Sequence, residues 1–518
     1  MKKKIILAAL VLFIVIALAT TVKAATEVTT IEELKDALVG TEEIIQVKND
    51  ITDSTSKLKL EVTGTKVLDL DGNTIKLDKS YFVVTGDAAL TVNGNGKVET
   101  TGSSNMFQCY AENGKGGKLD IQNGTFINSY QAAKLGECGR IVATWGTEND
   151  GSVNTIVNIG RDATLVADYG YGVIVFQDVK NGSFNVTVNV AGKIKAGQMG
   201  MTIQGFVKAT TGNVPVINIE PTANIEGTQG PAIYGAGYGI WNITGGKFVG
   251  EEALSIKSGK FNITGGEFIA NGEFKATPVA YSNGVESTGS AISITSNSDY
   301  AGKIEVSFNG DATVKSENGY AVFEATTKGT STKVDTLKIA QGSFTGKEGD
   351  VKSDNVEKFV EGGSFSKGVD AKYVSDDVKS VEINGKTVYG EAYALTIDED
   401  SKKYLSLDLT EAIEGQLVEV KINEEALEGK YKVKDIIVTY GRGSEVEKLT
   451  TTTFNMPNGD VTIKAVLEEV KEDVKEEVKE EVKEEVKNPQ TGDNIVAYTA
   501  LLAIAVVGIV ATVIVKKK

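Results

Sequence analysis

One residue type that most enzymes rely on is absent from this chain of 518 residues. There is no histidine, and the only arginines are Arg140, Arg161 and Arg442. The lack of histidine removes the usual zinc ligand, the usual general base and every Ser-His-Asp or Cys-His arrangement. Scarce arginine leaves little for two-pronged capture of phosphate or carboxylate. No metal-ligand set and no cofactor motif is legible. The remaining candidates are acidic and aromatic. Asp69 with Asp71, and Asp398-Glu399-Asp400, are the carboxylate clusters. Paired carboxylates cleave glycosidic bonds, yet Asp71-Gly72-Asn73 is also what a tight turn needs, and the second cluster lacks the rest of a calcium loop. Trp145, Tyr169, Tyr171, Tyr234, Tyr238 and Trp241 lie in glycine-rich stretches. They could stack on sugar rings in a shallow groove, or fill a wide part of a coil as an aromatic ladder.

The other reactive group is a peptide bond near the carboxy end. Asn488-Pro489-Gln490-Thr491-Gly492 precedes an apolar run, Ile495 to Val515, and then Lys516-Lys517-Lys518. Such a run is long enough to span a bilayer as a helix, with the lysines holding its end on the cytoplasmic side. Pro489 biases Asn488 toward the extended form that a protease-like cleft accepts. Pentapeptide, span and basic tail resemble the sorting signal of Gram-positive surface proteins. The resemblance implies cleavage between Thr491 and Gly492 by a sortase and covalent transfer of Thr491 to peptidoglycan, so the membrane is a partner only before sorting. Asn488 departs from the commoner Leu and resembles the signals read by class B-type sortases. At the other end, Lys2-Lys3-Lys4, the apolar stretch Ile5 to Leu18 and Val22-Lys23-Ala24 read as a secretory signal peptide, 1–24, cut between Ala24 and Ala25.

The elements that must position these side chains are strands. From about residue 45 to 366, short alternating apolar segments are separated by turn dipeptides such as Asn93-Gly94, Asn123-Gly124 and Asn318-Gly319. A small residue followed by an apolar one recurs at Gly172-Val173, Gly200-Met201, Ala232-Ile233, Ala253-Leu254, Ala291-Ile292 and Ala321-Val322, in steps of 28, 32, 21, 38 and 30 residues. A second pattern, strand then Gly then Phe, is clearest in Trp241-Asn242-Ile243 with Gly246 and Phe248, and in Phe261-Asn262-Ile263 with Gly266 and Phe268. Fixed strand starts with variable steps predict a parallel β-helix. About eleven turns at roughly 4.8 Å each make a rod on the order of 50 Å long. Thr30 and Glu33 form a capping box for a helix whose Ile31, Leu34 and Leu38 share one face, a cover for the open end. Cys109 and Cys138 are about one turn apart, which suits a disulfide between adjacent turns and is met as well by two buried thiols.

The cap helix, Val67-Leu68-Asp69-Leu70-Asp71-Gly72-Asn73-Thr74-Ile75, and Leu90-Thr91-Val92 with Gly94 and Gly96 resemble right-handed, pectate-lyase-like β-helix modules of bacterial surface proteins. The module is expected over 25–368. Residues 369–467 are expected to form a small β-sandwich-like domain, since Phe454-Asn455-Met456-Pro457 with Asp460-Val461-Thr462-Ile463 resembles repeats of Gram-positive wall proteins. Residues 468–487 repeat Val-Lys-Glu-Glu, with like charges at i,i+4, and predict a solvated stalk rather than a coiled coil. The sorting signal, 488–518, with its transmembrane helix 495–515, completes an all-β plan.

The formal charge is −16, and trimming four lysines at the front and a net two positive charges at the back leaves −22. Such a surface repels nucleic acid. The reading that follows is a non-enzymatic, peptidoglycan-anchored surface protein that displays a β-helix as an adhesin, toward an unidentified glycan or protein. The alternatives are a wall-attached polysaccharide lyase or hydrolase and a passive structural component.

Overall fold

The computed structural model describes residues 24–54, 57–133, 137–146, 154–176, 185–204, 214–280, 284–441 and 445–470. The signal peptide through residue 23, the stalk from 471, Asn488 to Gly492 and the 495–515 span lie outside the described residues.

Inward apolar residues stack turn upon turn, and that stacking builds a parallel β-solenoid with three faces. On the first face, Ile159, Val190, Ile219, Ile243 and Ile263 lie in register, each on the next. On the second, Leu165, Ile194, Ile225, Phe248 and Phe268 do the same. On the third, eleven strands form one parallel path. There the repeat of small and apolar residues is the stacking register itself: Val173 lies on Met201, Met201 on Ile233, Ile233 on Leu254, Leu254 on Ile292, and Ile292 on Val322. The steps vary because only loops change length. All these side chains are buried in one continuous core.

The Gly-x-Phe pattern marks the corner between the first two faces. Gly124, Gly246, Gly266, Gly342 and Gly363 all have positive φ, which a side chain would strain. Two residues later, Phe126, Phe248, Phe268, Phe344 and Phe365 point inward. Phe248 and Phe268 stack at 4.7 Å between centroids, and Trp241 and Phe261 at 5.4 Å. Trp241 is therefore a core residue of the coil and not a surface aromatic.

Helix α1, Ile31–Val39, covers the amino end through Ile31, Leu34, Ala37 and Leu38. Its capping box forms as expected, with Glu33 N–H donating to Thr30 Oγ1 at 3.2 Å and Thr30 N–H to Glu33 Oε2 at 3.2 Å. At the other end, strand Gly363–Phe365 continues the solenoid on one side and pairs antiparallel with residues 387–389 on the other. That antiparallel strand closes the edge. Tyr373 still belongs to the solenoid core, and its hydroxyl donates to Ser353 O at 2.6 Å, so the coil runs slightly past residue 368.

The following domain has its own core, in which Leu395, Val418, Val420, Ile436, Val438 and Ile463 meet. The Phe-x-Met-Pro segment supplies Phe454 and Met456 to that core, while Asp460 Oδ1 accepts the Ala394 N–H at 2.8 Å. Its last strand, Val461–Glu469, pairs with Tyr431–Tyr440 and runs two residues into the expected stalk. Lys432 and Glu468 face each other there as an ion pair at 3.3 Å, so the charge pattern that reads as a stalk also serves as a strand end. Among the described residues, no helix is long and apolar enough to cross a membrane.

The longest step, from Leu254 to Ile292, carries an excursion that folds over the outside of the third face. Glu252, fully buried, holds it. Glu252 Oε1 accepts the Thr288 N–H at 2.6 Å and the Thr288 hydroxyl at 3.0 Å, while Oε2 is buried without a hydrogen-bond donor. Burial pushes the Glu252 carboxyl up from 4.5 to about 7, against the pull of Thr288. A carboxyl raised on folding stabilises the fold below its unfolded value, and that contribution is lost as pH rises through the folded value. We therefore expect stability to fall between about pH 4.5 and 7 by on the order of 3 kcal/mol from this group. Glu252→Gln should abolish that fall, raising the melting temperature at pH 8 while leaving it nearly unchanged at pH 4.5, as thermal unfolding at the two pH values will show.

Candidate functional site

The sequence-predicted aromatics scatter. Tyr171 and Tyr234 are each 3% exposed, although both project from the outer side of the third face. They pack with Met199, Ala236 and Val285. The Tyr234 hydroxyl donates to Gly284 O at 2.8 Å and meets the Tyr300 hydroxyl at 3.0 Å. The excursion thus covers them, and neither can stack on a sugar. Tyr238 is half-buried, with its hydroxyl 3.4 Å from Glu305 Oε1, and Tyr169 is exposed. Trp145 lies in an outward ladder that periodicity does not reveal. One face of its ring stacks on Tyr110 at 4.3 Å and 8°, and Phe176 meets it edge-on at 6.3 Å. Both faces of the indole are engaged by protein, so this set braces successive turns instead of offering a free ring face.

The carboxylates serve turns. Asp71 has φ +46°, its N–H donates to Asp69 Oδ1 at 2.9 Å, and its own Oδ2 accepts Gln46 Nε2 at 3.0 Å from the turn below. Asp398 stands at the N-cap position of a short 3-10 turn, Glu399–Ser401, without a side-chain hydrogen bond to it, and Glu399 and Asp400 are exposed. Among the described residues, no cluster of three or more His, Cys, Asp or Glu side chains could hold a metal ion.

The cysteines are buried and not joined to each other. Cys109 stacks on Thr144, because the turn that separates them is longer than the spacing of the cysteines. Cys138 instead precedes Arg140, whose partner is Asn105. The two thiols therefore occupy different points on the circumference of the coil, beyond the reach of a disulfide. Burial pushes the Cys109 thiol far above its usual range.

A better-formed site lies at the corner between the second and third faces, across four early turns. A cleft of ≈ 250 Å³ is lined by Lys57, Lys79, Tyr81, Gly102, Ser103, Ser104, Asn105, Gln108 and Tyr130, with Asp78 packed against Gly102. Lys57 and Lys79 come from the chain just ahead of strands Lys59–Val62 and Tyr81–Thr85, so successive turns bring them to the same corner. Lys57 Nζ lies 5.8 Å from the Tyr81 ring centroid. Asn128, fully buried, fixes the far wall. Its Nδ2 donates to Ser103 O at 3.1 Å and Arg140 O at 3.0 Å, and its Oδ1 accepts the Tyr130 N–H at 3.0 Å. Arg140 Nη1 in turn donates to Asn105 Oδ1 at 3.3 Å.

No family model, curated protein or solved structure matches this chain.

The cleft was not legible in advance because its residues come from separate turns and follow no motif. Its lining sets two ammonium groups and two half-buried phenol rings beside amides and hydroxyls, and includes no carboxylate. That combination suits a polar ring compound bearing negative charge: rings pack on tyrosine, hydroxyls pair with amides, and the charge meets lysine.

Alkylation will test the cysteine assignment. Neither thiol should label in the native protein, and both should label after denaturation without any reductant. A requirement for reductant would mean that Cys109 or Cys138 is oxidised.

Proposed function

We propose that this chain is a cell-wall-anchored surface protein whose right-handed, pectate-lyase-like β-helix presents a binding site for an anionic glycan. The observation that carries the reading is the lysine- and tyrosine-lined cleft, which contains no carboxylate, on a chain of net charge −16. A long-range field of that sign repels an acidic saccharide, so a local pair of ammonium groups is what capture requires. Hydrolysis by paired carboxylates needs two acidic side chains about the scissile bond. The cleft supplies ammonium, amide and phenol groups, which favours binding over cleavage. The small β-domain and the Val-Lys-Glu-Glu repeat act as spacer, and Thr491 is the point of attachment to peptidoglycan after sortase cleavage.

A glycan array tests the ligand. Uronate-containing or sulfated saccharides should bind, and their neutral counterparts should not. Lys79→Gln and Tyr81→Ala should each weaken binding by about tenfold, and added salt should weaken it for the wild type. Equal binding by the Lys79→Gln variant would sink this assignment.

Fractionation tests the anchor independently. Thr491→Ala should leave the protein with the membrane instead of covalently in the wall. Wall attachment that survives the change would overturn the sorting assignment and leave the glycan site standing.

A further inference from the structure

Where the excursion folds over the third face, a buried amine and a buried carboxamide share one carboxylate. Lys257 is 1% exposed, and its Nζ lies 2.6 Å from Glu286 Oε2. The other oxygen of the same group, Oε1, accepts Asn297 Nδ2 at 2.8 Å. Asn297 and Glu286 are also buried, at 6% and 8% exposure. Ile256 stacks on Ile294, so Lys257 rises from one turn and Asn297 sits three residues beyond Ile294 on the next. The Glu286 carboxylate thus bridges the Lys257 amine and the Asn297 carboxamide.

Their surroundings favour a reaction. Asn297 Oδ1 accepts the Asp299 N–H at 2.9 Å, a fixed donor that polarises the amide carbonyl and would stabilise charge developing on its oxygen. The Tyr300 ring lies 4.5 Å from Lys257 Nζ and covers it. Thr327 Oγ1 donates to Glu286 Oε2 at 2.7 Å, which fixes the carboxylate. Burial pushes the Lys257 ammonium down despite its anionic neighbour, which favours the neutral, nucleophilic amine. For Glu286, burial acts to raise the carboxyl, but the hydrogen bonds from Lys257 and Thr327 outweigh it and leave it below its usual value, so the group stays ionised, 2.6 Å from the ammonium whose proton it would take.

We propose that Lys257 and Asn297 condense into an intramolecular amide, with Glu286 as the proton carrier. The ammonium gives one proton to Glu286, and the neutral amine attacks Asn297 Cγ. The oxygen of the resulting tetrahedral centre takes the charge beside the Asp299 N–H. Glu286 passes its proton to Nδ2 and takes a second one from Nζ. The Cγ–Nδ2 bond breaks to release ammonia and complete the Nζ–Cγ amide, and the ammonia takes the second proton from Glu286 and leaves as ammonium. Glu286 ends ionised, as it began, and no oxidant or cofactor is consumed. The bond would clamp two turns together at the base of the excursion. It rests on this geometry alone, independent of wall attachment and of glycan binding.

Mass spectrometry of the purified full chain decides it. Loss of one ammonia lowers the mass by about 17 Da, and a tryptic map should contain a branched peptide that joins the Lys257 and Asn297 segments. Glu286→Gln and Asn297→Ala should each give only linear peptides of unaltered mass. A wild-type map with linear peptides, in which the Lys257 amine is labelled after denaturation, would overturn the proposal, whether or not the variants fold. Loss of water with a branch at Glu286 would also overturn it, because the carboxylate would then be the acceptor.

Discussion

Every feature of this protein depends on one constraint, that each turn must match its neighbours at the spacing of a backbone hydrogen bond. Parallel strands of successive turns lie about 4.8 Å apart. Inward side chains therefore touch their counterparts directly above and below, and a change at one position is felt by two neighbours. The same spacing acts on the outside. Asn158, Asn189, Asn218, Asn242 and Asn262 share one outward column, and each amide donates to the one before it at 2.8 to 2.9 Å. Amides satisfied along the axis need not rely on water, and the column adds a polar seam to the apolar core.

Loops are free to vary because they sit outside that constraint, yet what they cover must be made consistent with burial. Ala143, Ile174, Thr202, Tyr234, Ser255, Ser293 and Phe323 all face outward on the third face and are all buried. Polar groups trapped there need partners. Glu324, fully buried, accepts from Ser353 Oγ at 2.7 Å and from Asn355 N and Nδ2 at 3.0 and 2.9 Å. Glu286 is satisfied by Lys257, Asn297 and Thr327. Glu252 accepts from Thr288 through Oε1, and burial is what pushes its carboxyl up toward neutrality. Buried charge thus collects where the longest excursion lies against the coil.

How much of this is legible in the sequence follows from the same division. The column Val173, Met201, Ile233, Leu254, Ile292 and Val322 can be read from spacing, since stacking demands it. So can the corner glycines, whose positive φ excludes other residues, and the Thr30 capping box. What periodicity cannot carry is which outward residues a loop will cover. Tyr171, Tyr234 and Tyr169 look alike in sequence; the first two lie under the excursion, and the third is exposed. Cys109 and Cys138 mislead for a related reason, because the local turn, from Cys109 to Thr144, is longer than the spacing of the two cysteines. The cleft escapes notice because Lys57, Lys79 and Tyr130 acquire meaning only when four turns are superimposed.

Position along the rod then bears on use. The cleft belongs to the first turns, beside the cap helix, whereas the edge-closing strand and the second core lie at the far end. Some seven turns intervene, on the order of 35 Å of stacked strands. A solenoid transmits little between its ends, since each turn contacts only its neighbours. Its contribution to binding is therefore distance and rigidity rather than coupling. For a chain held at its carboxy end, that arrangement sets the lysine-lined cleft at the outermost part of the molecule. If an anionic glycan is the ligand as proposed, it would meet that site before the bulk of the protein's negative surface, and the repulsion of the net negative charge falls off within about 10 Å at moderate salt. Placing two ammonium groups farther from the second domain than that screening length would let the proposed, locally positive site act on a globally negative protein.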